Sequence, residues 1–274
     1  MTGSEGLLAP YLIEEARKLG VVFSSARASG DFPCDLSDRA SIRRLMESTR
    51  PDWIVHAAAL TDVDRCERFP EEADCANRLV VANLVDAIDE NVRLVMLSTD
   101  QVYPNLPGPH REQFPGPVNV YGYSKLAGEN EAMQHPRSLV VRTNFFGPSR
   151  SAGRSSLDEF FIRSFSAKHP TKLFTDVQFS PIHMASLAAL IFDALGAGLA
   201  GIYNLGTRNG MTKAEFGIAV ARHFGLDTDC ALLCQSSQIP ERAPRPLDLR
   251  LDTSKFEAAL GCILPTLQSE IERL

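Results

Sequence analysis

Short apolar, β-branched runs alternate with longer amphipathic stretches through the first half of this 274-residue chain, and nothing else in it restricts the fold as much. Residues 21–26, 53–58, Arg93–Thr99 and Ser138–Thr143 read as strands, several of them apolar at nearly every position. Residues 38–48, 72–91 and 118–134 read as helices, the first behind Ser37 as a possible N-cap. A strand that is apolar on both faces has to be covered on both faces. Strands joined through helices pair in parallel. The pattern therefore predicts an α/β protein with a doubly wound parallel sheet.

After residue 144 the pattern loosens. A loop over 144–156 precedes a helix at 157–168, a short strand at 172–175, a helix at 186–195, the strand Gly201–Leu205 and a helix at 212–224. That last helix opens on Thr212-x-x-Glu215, the spacing of a capping box. Residues 240–246, rich in Pro and Arg, read as an extended connector. We expect two parts: a nucleotide-binding domain over 1–150, and a smaller α+β substrate lobe over 151–274 from which some segments return to the sheet.

Composition narrows the function. With 28 Lys+Arg against 34 Asp+Glu the net charge is −6, so no basic footprint for nucleic acid or an anionic membrane is expected. The longest run without a charged side chain, 177–192, is interrupted by Gln178, Pro181 and His183 and is too short to span a bilayer. No leader pattern is visible, and a cytoplasmic protein is expected. The six cysteines and six histidines are dispersed, so no metal is assigned.

Three segments carry candidate chemistry. In Thr2-Gly3-Ser4-Glu5-Gly6-Leu7-Leu8-Ala9 the glycines permit a tight turn and close approach to a pyrophosphate at a helix N-terminus, although such pairs also occur in ordinary loops. Tyr121-Gly-Tyr-Ser-Lys125 puts a phenol and an ammonium on one helix face. There the ammonium is expected to lower the phenol's pKa toward a range useful for general acid–base work, unless the two are merely a surface pair. Ser98-Thr99-Asp100 ends a strand, where doubly wound sheets bind ligands; Thr99 could polarise a carbonyl or simply cap a turn. His56-Ala57-Ala58-Ala59-Leu60-Thr61 ends another strand, and its small side chains leave room for a flat ligand or for close helix packing.

Together these segments resemble the dTDP-4-dehydrorhamnose reductase family of extended short-chain dehydrogenases/reductases. The resemblance runs through residues 2–9, 50–67, 97–103, 117–129, 141–147 and 245–256, in the family's order. It implies a Rossmann fold and reduction by NADPH or NADH of the 4-keto group of a nucleotide-linked 6-deoxy sugar. Tyr121 would be the proton donor, Lys125 would hold the nicotinamide ribose, and Thr99 would polarise the ketone. Gly3, Ser4, Glu5, Gly6 and Leu7 would cradle the pyrophosphate. Asp35 and Leu36 would meet the adenine, and Ala57, Ala58, Ala59, Thr61 and Ser98 would line the nicotinamide side. Asp100, Gln101, Asn144 and Phe145 would contact the sugar.

Gln101 and Tyr103 depart from the family's pattern after Ser-Thr-Asp, which leaves the sugar open. Arg27 lies where a 2′-phosphate would sit, tilting the expectation slightly toward NADPH, though a solvated arginine explains it as well. Tyr11 stands where some members carry a metal-binding glutamate, so no metal is carried over. A homodimer stays open. The run 211–226 resembles equally the regulatory beta subunit of methionine adenosyltransferase, a dinucleotide-binding partner protein. An epimerase or dehydratase is a third reading, though no acidic pair follows Thr99 as a dehydratase would favour. A strand should precede the glycine loop, yet only Met1 stands before Thr2. The first strand therefore reads as truncated, by about five residues for a strand of typical length. Because that strand is central in a 3-2-1-4-5-6 sheet, the natural protein is expected to start upstream of Met1.

Overall fold

The computed structural model describes residues 1–239 and 242–274. Its main sheet holds β1 (Trp53–His56), β2 (Arg93–Thr99), β3 (Ser138–Thr143) and β4 (Gly201–Leu205), all parallel and in that order. Thr2 extends it beyond β1 by bridging both His56 and Ser25. The order is thus Ser25, Thr2, β1, β2, β3, β4. The chain leaves Thr2 toward one edge and returns on its other side as β1. At such a switch point the connections diverge and open a crevice at the carboxyl ends of the strands.

The strands bury alternate residues against two helical layers. Val55, Val95, Leu139 and Val141 pack with Leu8, with Leu12 of α1 (Ala9–Arg17) and with Leu187, Ala188 and Ile191 of the helix Met184–Gly196. Ile54, Leu94, Met96 and Val140 face the other way, onto Ile42 and Leu45 of α2 (Arg39–Thr49) and onto Val81 and Leu84. Each of the Val, Leu, Ile and Met side chains among them contributes roughly 1.5–3 kcal/mol by leaving water. Another core is largely aromatic, with Phe146, Phe161, Phe165, Phe179 and Phe216 joined by Leu249, Leu267 and Ile271. Around it lie three two- and three-stranded sheets built from residues 145–146, 171–174, 178–179, 182–183, 211–212, 231–234 and 248–249.

Several local expectations change. The strand predicted at 21–26 contributes only the bridge at Ser25, and the neighbouring Val21 is left 86% exposed. The strand predicted at 53–58 ends at His56, freeing the alanines that follow for the crevice. Asp38, not Ser37, caps α2: its carboxylate accepts from the amides of Ala40 and Ser41 at 2.9 and 3.2 Å. The Ser37 hydroxyl donates instead to Asp35 at 2.7 Å. The single helix expected over 72–91 is α-helical at Pro70–Asp74, a π turn at Cys75–Leu79 and α-helical again at Val80–Val85. Of the connector at 240–246, residues 240–241 lie outside the described residues, and 242–246 have no regular structure.

Candidate active site

Gly3 holds φ +77°, a left-handed conformation, and a Cβ there would stand 2.5 Å from the Ala58 amide nitrogen. Only glycine lets the loop lie this close to the end of β1. The turn closes through hydrogen bonds from the Gly6 amide to the Gly3 carbonyl and from the Ala9 amide to the Gly6 carbonyl. Among the described residues the amides of Glu5, Leu7 and Leu8 meet no acceptor, and they sit at the mouth of α1. Outward-facing amides at a helix start suit a pyrophosphate. Beyond the loop, Arg27 and Asp35 are not independent: the guanidinium grips the Asp35 carboxylate at 2.7 and 3.0 Å in an exposed pair. Leu36 offers its carbonyl to Asn83 at 3.4 Å. Ala57, Ala58 and Ala59 are half-buried, and Thr61 is exposed.

α3 (Val120–Ala132) carries Tyr121 and Lys125, both buried, against the carboxyl end of β2. Two glycines set its distance from its neighbours. A Cβ on Gly122 would stand 2.3 Å from the Gln101 carbonyl, and one on Gly128 would stand 2.1 Å from the Asn77 carbonyl. The Asn119 side chain caps the helix, accepting from the Gly122 amide at 2.8 Å. Thr99 begins the short turn Asp100–Val102 and accepts from the Gln101 amide at 3.2 Å. Its hydroxyl also donates to Asp100 at 3.2 Å, and Asn144 donates to the same carboxylate at 2.7 Å. Thr99, Asp100, Gln101, Tyr121 and Asn144 thus meet at one corner of the crevice. Phe145 is half-buried at the margin of the main core and pairs with Ile182.

The electrostatics depart from expectation in one respect. The Tyr121 phenol is pushed up, not down, because burial dominates; Asp100 and Cys66 add to the rise, and the Thr99 hydroxyl opposes it. The Lys125 ammonium does not offset this, since it donates to the Leu97 carbonyl at 2.7 Å. Burial lowers Lys125 from 10.5 to about 8, against the pull of Glu129. His56 falls to about 3 through burial and the charge of Lys125, so it is neutral near pH 7. One of its ring nitrogens lies 2.8 Å from the Thr2 hydroxyl, and Nε2 has no partner among the described residues.

Side chains outside the recognised motifs also frame the site. Asn77, in the π turn, accepts from the Leu60 amide at 2.9 Å and donates to the Leu60 carbonyl at 3.0 Å and to Ser124 at 2.9 Å. It ties the alanine-rich strand end to α3. Glu129 and Arg142, both fully buried, pair at 2.7 Å beneath Lys125, and Ser98 donates to the same carboxylate. The charges of Lys213 and Asp100 each favour the other's ionised form, against the burial of both. Asn77 was readable only as part of a helical pattern, and Lys213 only as the residue after a capping threonine.

The Agl14 protein of Haloferax volcanii, described as a probable low-salt glycan biosynthesis reductase, is 28% identical over 287 residues, covering 100% of this chain and 96% of its own. The methionine adenosyltransferase 2 subunit beta of Xenopus laevis is 29% identical over 272 residues, covering 94% of this chain and 80% of its own. A crystal structure of dTDP-4-dehydrorhamnose reductase from Bacillus anthracis in complex with NADP superposes with a TM-score of 0.90 at 22% identity, covering 99% and 96% of the two chains. At that identity the likeness is one of fold. The model of the RmlD substrate binding domain matches residues 1–274. Matched from end to end, the chain belongs to the RmlD substrate binding domain family.

Proposed function

We propose that this protein is an NAD(P)H-dependent reductase of the 4-keto group of a nucleotide-activated 6-deoxy sugar. The observation that carries this reading is the meeting of Thr99, Tyr121 and Lys125 at the carboxyl edge of the sheet, beside a glycine loop with unpaired amides. The loop would hold a nicotinamide dinucleotide, which would supply the hydride when bound. Gly3, Ser4, Glu5, Gly6 and Leu7 bind its pyrophosphate. Arg27, Asp35 and Leu36 bind the adenosine end, with Arg27 favouring a 2′-phosphate once it turns from Asp35. Ala57, Ala58, Ala59, Thr61 and Ser98 line the nicotinamide side. Thr99 donates a hydrogen bond to the ketone oxygen, and Tyr121 delivers the proton. A phenol kept protonated by burial is ready to act as the acid. Lys125 holds the ribose, while Asp100, Gln101, Asn144 and Phe145 contact the sugar. The separate aromatic core around Phe161 and Phe216 supports a substrate lobe within 151–274, from which the helix Met184–Gly196 and β4 return to the main sheet.

NADPH consumption with dTDP-4-dehydrorhamnose, the product's C4 configuration read by NMR, tests the reading. Tyr121→Phe should lower turnover by about 10²–10⁴-fold and leave dinucleotide affinity intact. Unchanged turnover would remove Tyr121 as proton donor. The likeness to the methionine adenosyltransferase beta subunit favours a second reading, a dinucleotide-binding regulatory protein. That protein would bind NADP(H) and oxidise none of it with any 4-keto sugar nucleotide.

A further inference from the structure

At the amino ends of β1 and β2, opposite the crevice, a cavity of about 440 Å³ opens over Met46, Pro51, Ala87, Ile88 and Val92. All five are half-buried, and four of them (Met46, Ala87, Ile88 and Val92) pack onto the core that contains Leu45 and Leu84. They form an apolar floor. The rim carries Glu47, Arg50, Asp52, Asp89 and Asn91, all exposed. The volume falls within the range of small-molecule sites.

Two helices end at this cavity. α2 closes on Thr49, where Arg50 caps it in a left-handed conformation with φ 41°, and the helix Val80–Val85 closes two residues before Ala87. The last carbonyls of a helix lack amide partners and form the negative end of its dipole. Neither helix has a basic residue in its last turn. Three carboxylates add to that potential, and Arg50 is the one cation among the lining residues. Among the described residues, the side chains of Glu47, Arg50 and Asp52 meet no hydrogen-bond or ion-pair partner. Asp89 accepts from the Asn91 amide and side chain, each at 2.9 Å, through one carboxylate oxygen, which leaves the other open. An ammonium offers three donors to such carboxylates, and an apolar body leaves water on the floor. An anion would instead face three carboxylates and two carbonyl ends.

We propose that this cavity binds a primary organic amine with an apolar body, of the arylalkylamine kind. Its ammonium sits among Glu47, Asp52 and Asp89, and its body lies over Ala87, Ile88 and Val92. The site stands apart from the reductase reading, since it needs neither dinucleotide nor sugar and lies at the other end of the strands.

Amide NMR spectra of the full chain, titrated with phenethylamine, N-acetylphenethylamine and phenylalanine, test the assignment. Phenethylamine should shift the amides of Ala87, Ile88 and Val92. Acetylation should weaken it by about 10-fold or more, as expected for loss of charge-assisted contacts. Glu47→Gln combined with Asp52→Asn should weaken the amine by a similar factor. Thermal melts of that variant should match the wild type, because both side chains are exposed and unpaired. No shift at these amides at millimolar phenethylamine, or equal binding of the acetylated form, would overturn the proposal. So would undiminished amine binding by the double variant. Tighter binding of phenylalanine than of phenethylamine would overturn the amine class and move recognition to Arg50 and a carboxylate.

Discussion

Lys125 shows how little of a residue's behaviour is visible in its motif. Its spacing from Tyr121 was legible, because residues four apart share a helix face. The expectation that it would draw down the phenol's pKa fails because both groups are buried and the ammonium turns to the Leu97 carbonyl. Folding lowers Lys125 from 10.5 to about 8, so between those values the unfolded chain holds more protons and stability rises with pH. The cost is complete below pH 8 and vanishes above pH 10.5. Lys125→Met should therefore stabilise the ligand-free protein by about 2–3 kcal/mol at pH 7, with the gain gone by pH 10.5. Urea unfolding at the two pH values measures it. An equal gain at both would show that the charge is not what burial penalises.

Among the elements, α3 had the clearest sequence signature, yet its packing distance depends on two glycines that no periodicity explains. Gly122 and Gly128 let it approach the Asp100–Val102 turn and the π turn at backbone contact. Gly122→Ala should cost about 1–3 kcal/mol and lower turnover as well, because the helix must back away from Gln101 and carry Tyr121 with it. Gly196→Ala, where a Cβ meets nothing within 4 Å, should instead stabilise by about 0.4–1 kcal/mol. Thermal melts of the two variants compare them directly, and a neutral Gly122→Ala would show that the helix has slack. The π turn at Cys75–Leu79 was invisible in the sequence, since it differs from an α-helix only in one extra residue per turn. The strand expected at 21–26 shrinks to a bridge at Ser25, because apolar residues alone do not set how far pairing extends: on the side of Thr2 the backbone there bonds only to Met1 and Ser4.

Across the whole molecule, the Arg142–Glu129 pair links parts far apart in sequence. Arg142 on β3 also donates to the Tyr103 hydroxyl at 3.0 Å and to the Glu112 carbonyl at 2.9 Å, and Tyr103 donates to Asn204 on β4 at 2.6 Å. Asn204 in turn donates to the carbonyls of His110 and Asp252. Glu129→Gln should destabilise by about 3–5 kcal/mol, because it leaves a buried guanidinium without its counter-charge. Glu129→Gln combined with Arg142→Met should recover most of that loss. Chemical denaturation reads both, and a double variant no better than the single would place the cost in packing rather than charge. By itself the sequence determined the layer architecture, the family and the residue types at the catalytic corner, since these follow from periodicity and local motif. Only the tertiary structure decided which side chains are buried and which charges are paired. Those depend on contacts between residues distant in the chain, and the local pattern does not encode them.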